Sequence, residues 1–154
     1  FIYPYFVYGI EVWGNACFSN LTGLIRMQKK VVRIVSGAGF KDHTAPLFTA
    51  LQMLNVKKLY YFKVQQLMYK YAHGDLPHVL SELFVRNSLI HSYQTRQSQL
   101  LHVPKAKTET LLRSFRCIAV KISNHFEKLV DIGSRKHAYK KKLKNYLVSH
   151  DMNI

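Results

Sequence analysis

The sequence predicts a mainly α protein with a long extended connection around residues 86–110, and three observations carry that reading. Apolar side chains recur at helical spacing along most of the chain, Gly and Pro stand at the ends of the periodic stretches, and no strong period-two alternation sets up a sheet. No internal repeat or low-complexity tract interrupts the pattern. With 154 residues and 48 % apolar composition the chain can bury a core of its own. In chain order it divides into a helical segment over 1–85, a basic strap over 86–110, and C-terminal helices over 111–154 that end in a basic amphipathic helix.

The first run, FIYPYFVYGIEVWG, is apolar and aromatic, but Glu11 and two glycines interrupt it well short of the ~20 residues a membrane span needs. It lacks the positive n-region of a signal peptide. Opening inside a hydrophobic run without Met, the chain reads as a piece cut from something longer. Residues 20–36, NLTGLIRMQKKVVRIVS, put Leu21, Leu24, Ile25, Val31, Val32 and Val35 on one buried helical face, with Asn20 as cap and Gly37 as stop. On the same helix Arg26, Lys29, Lys30 and Arg33 follow i, i+3, i+4, i+7 and line one exposed stripe. Such like charges repel by a few tenths of a kcal/mol per pair, and helices more often break the stripe with Glu.

Thr44 and Pro46 read as cap and first turn of a short helix, APLFTALQML. VKKLYYFKVQQLMYKYAHG follows, with Leu59, Phe62, Leu67 and Tyr71 helically spaced and Gly74 as its stop. Pro77 opens another short helix through about Val85. Periodicity is then lost from Arg86 to Thr110, where Ser, Gln and Pro104 dominate. From Leu111 the pattern LLRSFRCIAVKISNHFEKL places Leu112, Phe115, Ile118, Ile122 and Phe126 near one face of a helix, although Ile118 to Ile122 also alternates like a short strand. After Gly133, Tyr139, Leu143, Tyr146 and Leu147 fall at i, i+4, i+7, i+8, and Lys140, Lys141, Lys142 and Lys144, with Arg135 and Lys136, cover the rest of the last helix.

Charge narrows the partner. The chain carries 23 Lys plus Arg against 8 Asp plus Glu, a formal net charge of +15, and a sequence pI near 9.9. Such an excess attracts a polyanion, nucleic acid first and an anionic membrane surface next, with a merely solubilising charge as the plain alternative. Tyr60, Tyr61, Tyr69 and Tyr71 stand among Lys57, Lys58, Lys63 and Lys70, a mixture suited to following phosphates and bases. Aromatics at helical spacing are usually core, so one or two of these four are expected to touch a ligand.

Catalytic chemistry is sparse by comparison. The carboxylates are scattered, with no pair placed for acid/base work or two-metal phosphoryl transfer, and no phosphate-binding, zincin or nucleophile-elbow motif occurs. Cys17 and Cys117, 100 positions apart with no CxxC, fit neither a disulfide framework nor a zinc site and suggest a reducing, intracellular setting. Cys117 with His125 and Asp131 could form a thiol-dependent constellation, but a buried structural Cys is expected. His73 and His78 are read as a helix end and a loop residue rather than metal ligands. No cofactor and no metal is predicted.

In HSYQTRQSQLLHVPKAKT, 91–108, the basic character exceeds what a spacer requires. One reading is an extended strap that offers Tyr93 to a base or ribose and forks Arg96 onto a phosphate, with Lys105 and Lys107 beside them. The other has Tyr93 and Leu100 pinned to the core while Arg96 caps a helix C-terminus.

The order of these landmarks carries a family resemblance. YGIEVWGN at 8–15, LIRMQKKVVRIVSG at 24–37, HTAPLF at 43–48, LMYKYAHGDLP at 67–77, HSYQTR at 91–96, FRCIAVKISN at 115–124 and YKKKLKNYL at 139–147 resemble the C-terminal end of the reverse transcriptase of LINE-type (non-LTR) retrotransposons, the jockey-like group in particular. The resemblance covers nearly the whole chain. Where that family usually shows a Gly and then Trp-Asn before Leu-Pro, this chain has Ala119, Ser123, Asn124 and Phe126.

The resemblance implies a helical thumb-like or post-thumb module of an RNA-directed DNA polymerase. It also implies that the catalytic palm and the endonuclease lie elsewhere; no Asp-Asp pair occurs here. The expected role is non-catalytic, holding template RNA or a primer-template through Arg26, Lys29, Lys30, Arg33, Tyr93, Arg96, Lys105, Lys107, Lys140, Lys141, Lys142 and Lys144. Expected partners are RNA, an RNA–DNA hybrid or a DNA duplex, together with the remainder of the parent polymerase and no membrane. The expected location is nuclear or cytoplasmic, not secreted. Two rival expectations are a purely structural packing module and a domesticated remnant acting as a protein-binding adaptor.

Overall fold

The computed structural model describes residues 3–93, 95–127, 129 and 132–150, and helices dominate them. In order they are α1 (Tyr3–Val7), α2 (Ile10–Trp13), α3 (Phe18–Ser36), α4 (Thr44–Ala50), α5 (Val56–Ala72), α6 (His78–Ser81), α7 (Glu109–Leu112), α8 (Phe115–Glu127) and α9 (Lys136–Ser149), with one 3₁₀ turn at Asn87–Leu89. The mainly α class expected from periodicity is what these residues adopt. Among the described residues, β pairing is limited to an isolated antiparallel bridge between Arg86 and Leu101.

The chain forms two compact units. Residues 3–63 together with 140–150 make the first, and the described residues of Val64–Tyr139 make the second, so the division falls inside α5 and inside α9.

In the first unit α3 lies against α4. Gly37 ends α3 as its spacing predicts: it takes φ 63°, and Ala38 N–H donates to Arg33 C=O at 3.0 Å, satisfying a carbonyl the helix leaves open. The start differs from expectation. The helix begins at Phe18, with Cys17 C=O accepting from Asn20 N–H at 2.9 Å, so Asn20 is inside the first turn and caps nothing. Val35, expected in the buried face, is 63 % exposed because it lies in the last turn, past the reach of the core. The buried positions are Val32 and, unexpectedly, Gln28; Leu21, Leu24, Ile25 and Val31 are half-buried.

Helix α4 likewise starts with Thr44 as its first helical residue rather than its cap. Just past its end stands Gln52, whose φ of 51° is unusual for a non-glycine, with Met53 N–H donating to Phe48 C=O at 2.9 Å. Gly14 is required by close approach, since a Cβ there would stand 2.5 Å from both Ile10 C=O and the Tyr60 ring.

Helix α5 is buried on more than one side: Leu59, Tyr60, Tyr61, Val64, Gln65, Met68 and Tyr69 are all inaccessible. Gly74 stops it, as read from sequence, with Asp75 N–H donating to Lys70 C=O at 2.9 Å. In the second unit, α6 starts after Pro77 but is over by Ser81, short of the predicted Val85. The helical reading of the stretch from Leu111 holds, but it is broken at Arg113 and Ser114 into α7 and α8, and the strand alternative at Ile118–Ile122 does not hold. Cys117, Ala119, Val120, Ile122, Ser123 and Phe126 are the buried residues of α8.

Among the described residues of 86–110 there is no long helix, as expected, but the first part is not extended. Asn87 N–H donates to Leu100 C=O (3.0 Å), Ser88 N–H to Ser98 C=O (2.9 Å) and His102 N–H to Val85 C=O (2.7 Å), so 86–101 folds back into a closed loop. The antiparallel bridge between Arg86 and Leu101 joins its two ends, and within it Asn87 Nδ2 donates to Gln97 C=O, a bond that an extended chain would leave to water.

Candidate nucleic-acid interface

The orientation of α3 is fixed by a buried amide. Gln28 Nε2 donates to Leu54 C=O at 3.0 Å, and its Oε1 accepts from Val56 N–H at 3.0 Å, so one side chain fastens the helix to the segment leading into α5. At roughly 100° per residue, Arg26, Lys30 and Arg33 then fall on the side opposite Gln28, and Lys29 stands about a quarter-turn from it. Arg26, Lys29 and Lys30 are exposed. Arg33 is half-buried, and its Nε donates to Asp42 C=O at 3.0 Å, which gives it a role as anchor of the α3–α4 connection. No Asp or Glu occurs within α3, so nothing on the helix itself offsets the stripe.

On α9 the predicted amphipathicity holds: Tyr139, Leu143 and Leu147 are fully buried, while Lys141, Lys142 and Lys144 are exposed and Lys140 is half-buried. Lys140, Lys141, Lys142 and Lys144 belong to the same compact unit as α3, although more than a hundred positions away in sequence. Tyr93, Arg96, Lys105 and Lys107 belong to the other unit. The candidate residues therefore form two sets.

The second set rests on another amide. Asn124 of α8 accepts from Leu101 N–H through Oδ1 (3.0 Å) and donates to Leu101 C=O through Nδ2 (2.8 Å), as a neighbouring strand would. Inside the loop so held, Asn87 Nδ2 donates to Gln97 C=O at 2.9 Å and Arg86 donates to Gln99 Oε1 at 3.2 Å. Tyr93 is 66 % exposed and stacks against His91 with ring centroids 5.6 Å apart. With Asn87, Thr95, Arg96 and Gln97 these rings line an open hollow of about 430 Å³. Tyr93 is thus not pinned to a core, whereas Leu100 is half-buried. Lys105 and Lys107 are exposed on the run that leads to the Thr108 cap of α7. Gln94, between Tyr93 and Arg96, lies outside the described residues.

Comparison of the chain with family models, curated proteins and solved structures returned no significant match. The residues themselves therefore carry the functional reading.

The α5 tyrosines that the sequence placed among lysines are mostly structural. Tyr60, Tyr61 and Tyr69 are buried, and Tyr71 is half-buried with its hydroxyl donating to Phe84 C=O at 3.1 Å. Burial pushes the Tyr60 hydroxyl well above the ordinary phenol range, with the neighbouring Tyr61 adding to the effect. Burial likewise raises Tyr139 to about 12, against a lowering by the hydrogen bond from Gln65 Nε2 at 2.8 Å. Lys57 Nζ sits 5.8 Å from the centroid of the buried Tyr61 ring.

A cavity of about 500 Å³ in the first unit is walled by Phe18, Leu21, Ile25, Phe48 and Tyr61, with Lys29 and Lys57 among its lining residues. Cys117 is buried and Cys17 exposed. His125 is exposed, and Asp131 lies outside the described residues. Among the described residues no cluster of three His, Cys, Asp or Glu could hold a metal ion, and no helix is long and apolar enough to cross a membrane.

Sequence reasoning missed the two positioning residues, Gln28 and Asn124. A polar side chain inside an apolar periodic stretch was the available signal for Gln28. Asn124 has no such signal, because its partner is 23 positions upstream.

Proposed function

We propose that this chain is a non-catalytic nucleic-acid-binding module, and that it acts in the cell as the resemblance implies: a thumb-like or post-thumb piece of a jockey-like retrotransposon reverse transcriptase that holds template RNA or primer-template. The observation that carries the reading is the α3 stripe. Arg26, Lys29 and Lys30 face solvent along one helix that contains no carboxylate, while Gln28 and Val32 on the other side are buried. A solvated face that served only solubility would gain a few tenths of a kcal/mol per pair by alternating in Glu. The exposed lysines of α9 add charge in the same unit, and Tyr93 with Arg96 offers a separate contact for a base and a phosphate.

The test is retention of a single-stranded RNA oligomer by the full chain over a salt series. Each phosphate contact contributes roughly −0.7 to the log-log slope. The triple variant Arg26→Ala, Lys29→Ala, Lys30→Ala is therefore expected to flatten the slope by about 2 while leaving thermal stability within about 0.5 kcal/mol. A slope near zero for the unmodified chain would overturn the reading.

A second reading, packing against the remainder of a polymerase, is favoured by Tyr5, Tyr8, Val12 and Phe18, all strongly exposed at the start of the chain. Tight association with a separately expressed palm would support it.

A further inference from the structure

The connection between α3 and α4, GAGFKD over 37–42, builds more structure than a linker needs. After Gly37 closes α3, residues Gly39 to Asp42 make a hydrogen-bonded turn: Asp42 N–H donates to Gly39 C=O at 3.1 Å, and Gly39 N–H donates back to Asp42 Oδ2 at 2.6 Å. A Cβ on Gly39 would stand only 3.3 Å from that carboxylate oxygen. From the helix side, Arg33 Nε donates to Asp42 C=O at 3.0 Å. The two central residues of the turn are Phe40 and Lys41, both exposed, Phe40 at 78 %.

A single exposed apolar side chain is ordinary. The informative combination is an aromatic ring and a cation at the tip of a turn pinned through both of its ends, at the C-terminal end of the basic stripe. Along α3, Lys29 and Lys30 lie about one helical turn from the Arg33 anchor, ~5 Å, and Arg26 about two turns, ~10 Å. Holding the backbone of the turn in advance removes the ordering cost that a flexible loop would meet on binding.

We propose that Phe40 is a stacking platform for an unpaired base of a nucleic-acid strand whose neighbouring phosphates run onto Lys41, Lys30, Lys29 and Arg26. The inference rests on the nucleic-acid reading above and names a group that engages a base beside α3, where that reading names only phosphate contacts. Stacking on an aromatic face tolerates any base, so the contact adds affinity without sequence choice.

The experiment compares Phe40→Ala and Phe40→Trp with the unmodified 154-residue chain, using a single-stranded RNA oligomer and an abasic oligomer of equal length with the same phosphates. Phe40→Ala is expected to weaken binding of the intact oligomer roughly five- to tenfold. Its affinity for the abasic oligomer and its melting temperature stay unchanged, and Phe40→Trp restores binding of the intact strand. If the unmodified chain binds the oligomer and Phe40→Ala binds it equally well, the stacking inference falls and the nucleic-acid reading stands. Equal losses on intact and abasic strands also overturn the inference, because the effect then lies in charge or folding. If the unmodified chain binds neither strand, both readings fall. If it self-associates in a way that Phe40→Ala abolishes, without any difference on RNA, Phe40 is a protein contact and the inference is wrong.

Discussion

Gln28 and Asn124 do the same chemistry in two different places. Each amide closes two hydrogen bonds onto a passing backbone: Gln28 onto Leu54 and Val56 in the first unit, Asn124 onto Leu101 in the second. Gln28 is buried, 4 % exposed, and holds one core element to another. Asn124 is half-buried and holds a surface loop to a core helix. The difference teaches how the two sets of candidate contacts are oriented. The α3 stripe faces outward because Gln28 and Val32 on the other side are buried, whereas Tyr93 and Arg96 are presented by a loop that Asn124 of α8 holds at Leu101. A third amide, Gln65, is fully buried and shows the incomplete case: Nε2 donates to Tyr139, while Oε1 has no partner among the described residues.

The largest effect should come from breaking the core clamp. Gln28→Leu keeps the volume but strands the Leu54 carbonyl and the Val56 N–H, each worth roughly 1–3 kcal/mol when left unpaired in the interior. A loss of about 2–4 kcal/mol and a fall in Tm of roughly 5–15 °C are expected by thermal denaturation. An unchanged Tm would show that the orientation of α3 does not depend on this residue.

The next effect is set by pH. Burial raises the Tyr139 phenol from its ordinary value near 10 to about 12. Between those values the unfolded chain has lost the proton and the folded chain has kept it, so folding is the more protonated state. This contribution is fully present below about pH 10 and is lost as pH rises through about 12. Tyr139→Phe should therefore flatten the fall of stability above pH 10, measured as urea midpoints over pH 8–11.5, although it removes the bond to Gln65.

Breaking the loop clamp is smaller and local. Asn124→Ala should cost about 1–2 kcal/mol. Faster amide hydrogen exchange at Leu101, Asn87 and Ser88 should accompany it while the α3 amides stay protected. If exchange accelerates throughout the chain, the loop is as integral to the fold as the Gln28 contact and the contrast fails.

The smallest expected effect is a gain. Gln52 takes φ 51° at the end of α4, and relieving that conformation with Gln52→Gly should stabilise by up to about 1 kcal/mol, a rise in Tm of a few degrees.

Local physics was legible in the sequence. Gly37 and Gly74 stop helices because each must take positive φ, and the Tyr139–Leu143–Leu147 spacing buries one face of α9, because both features depend on residues within about two turns of one another. The exposed character of Arg26, Lys29 and Lys30 followed from the same periodicity. What the sequence could not supply depends on partners far along the chain. Gln28 is buried because Leu54 and Val56, 26 and 28 positions away, complete its hydrogen bonds. Tyr60 and Tyr61 look like ligand-facing aromatics beside lysines, yet α5 is covered on several sides and takes them into the core. The strap read as extended closes into a loop because Arg86 meets Leu101 and Asn124 grips the junction. Composition and spacing by themselves determined that the chain is helical, strongly basic and bounded at its glycines. Tertiary structure decided which polar groups could be buried and how the aperiodic segment folds, because a buried amide or an open backbone is stable only where another part of the chain returns its hydrogen bonds.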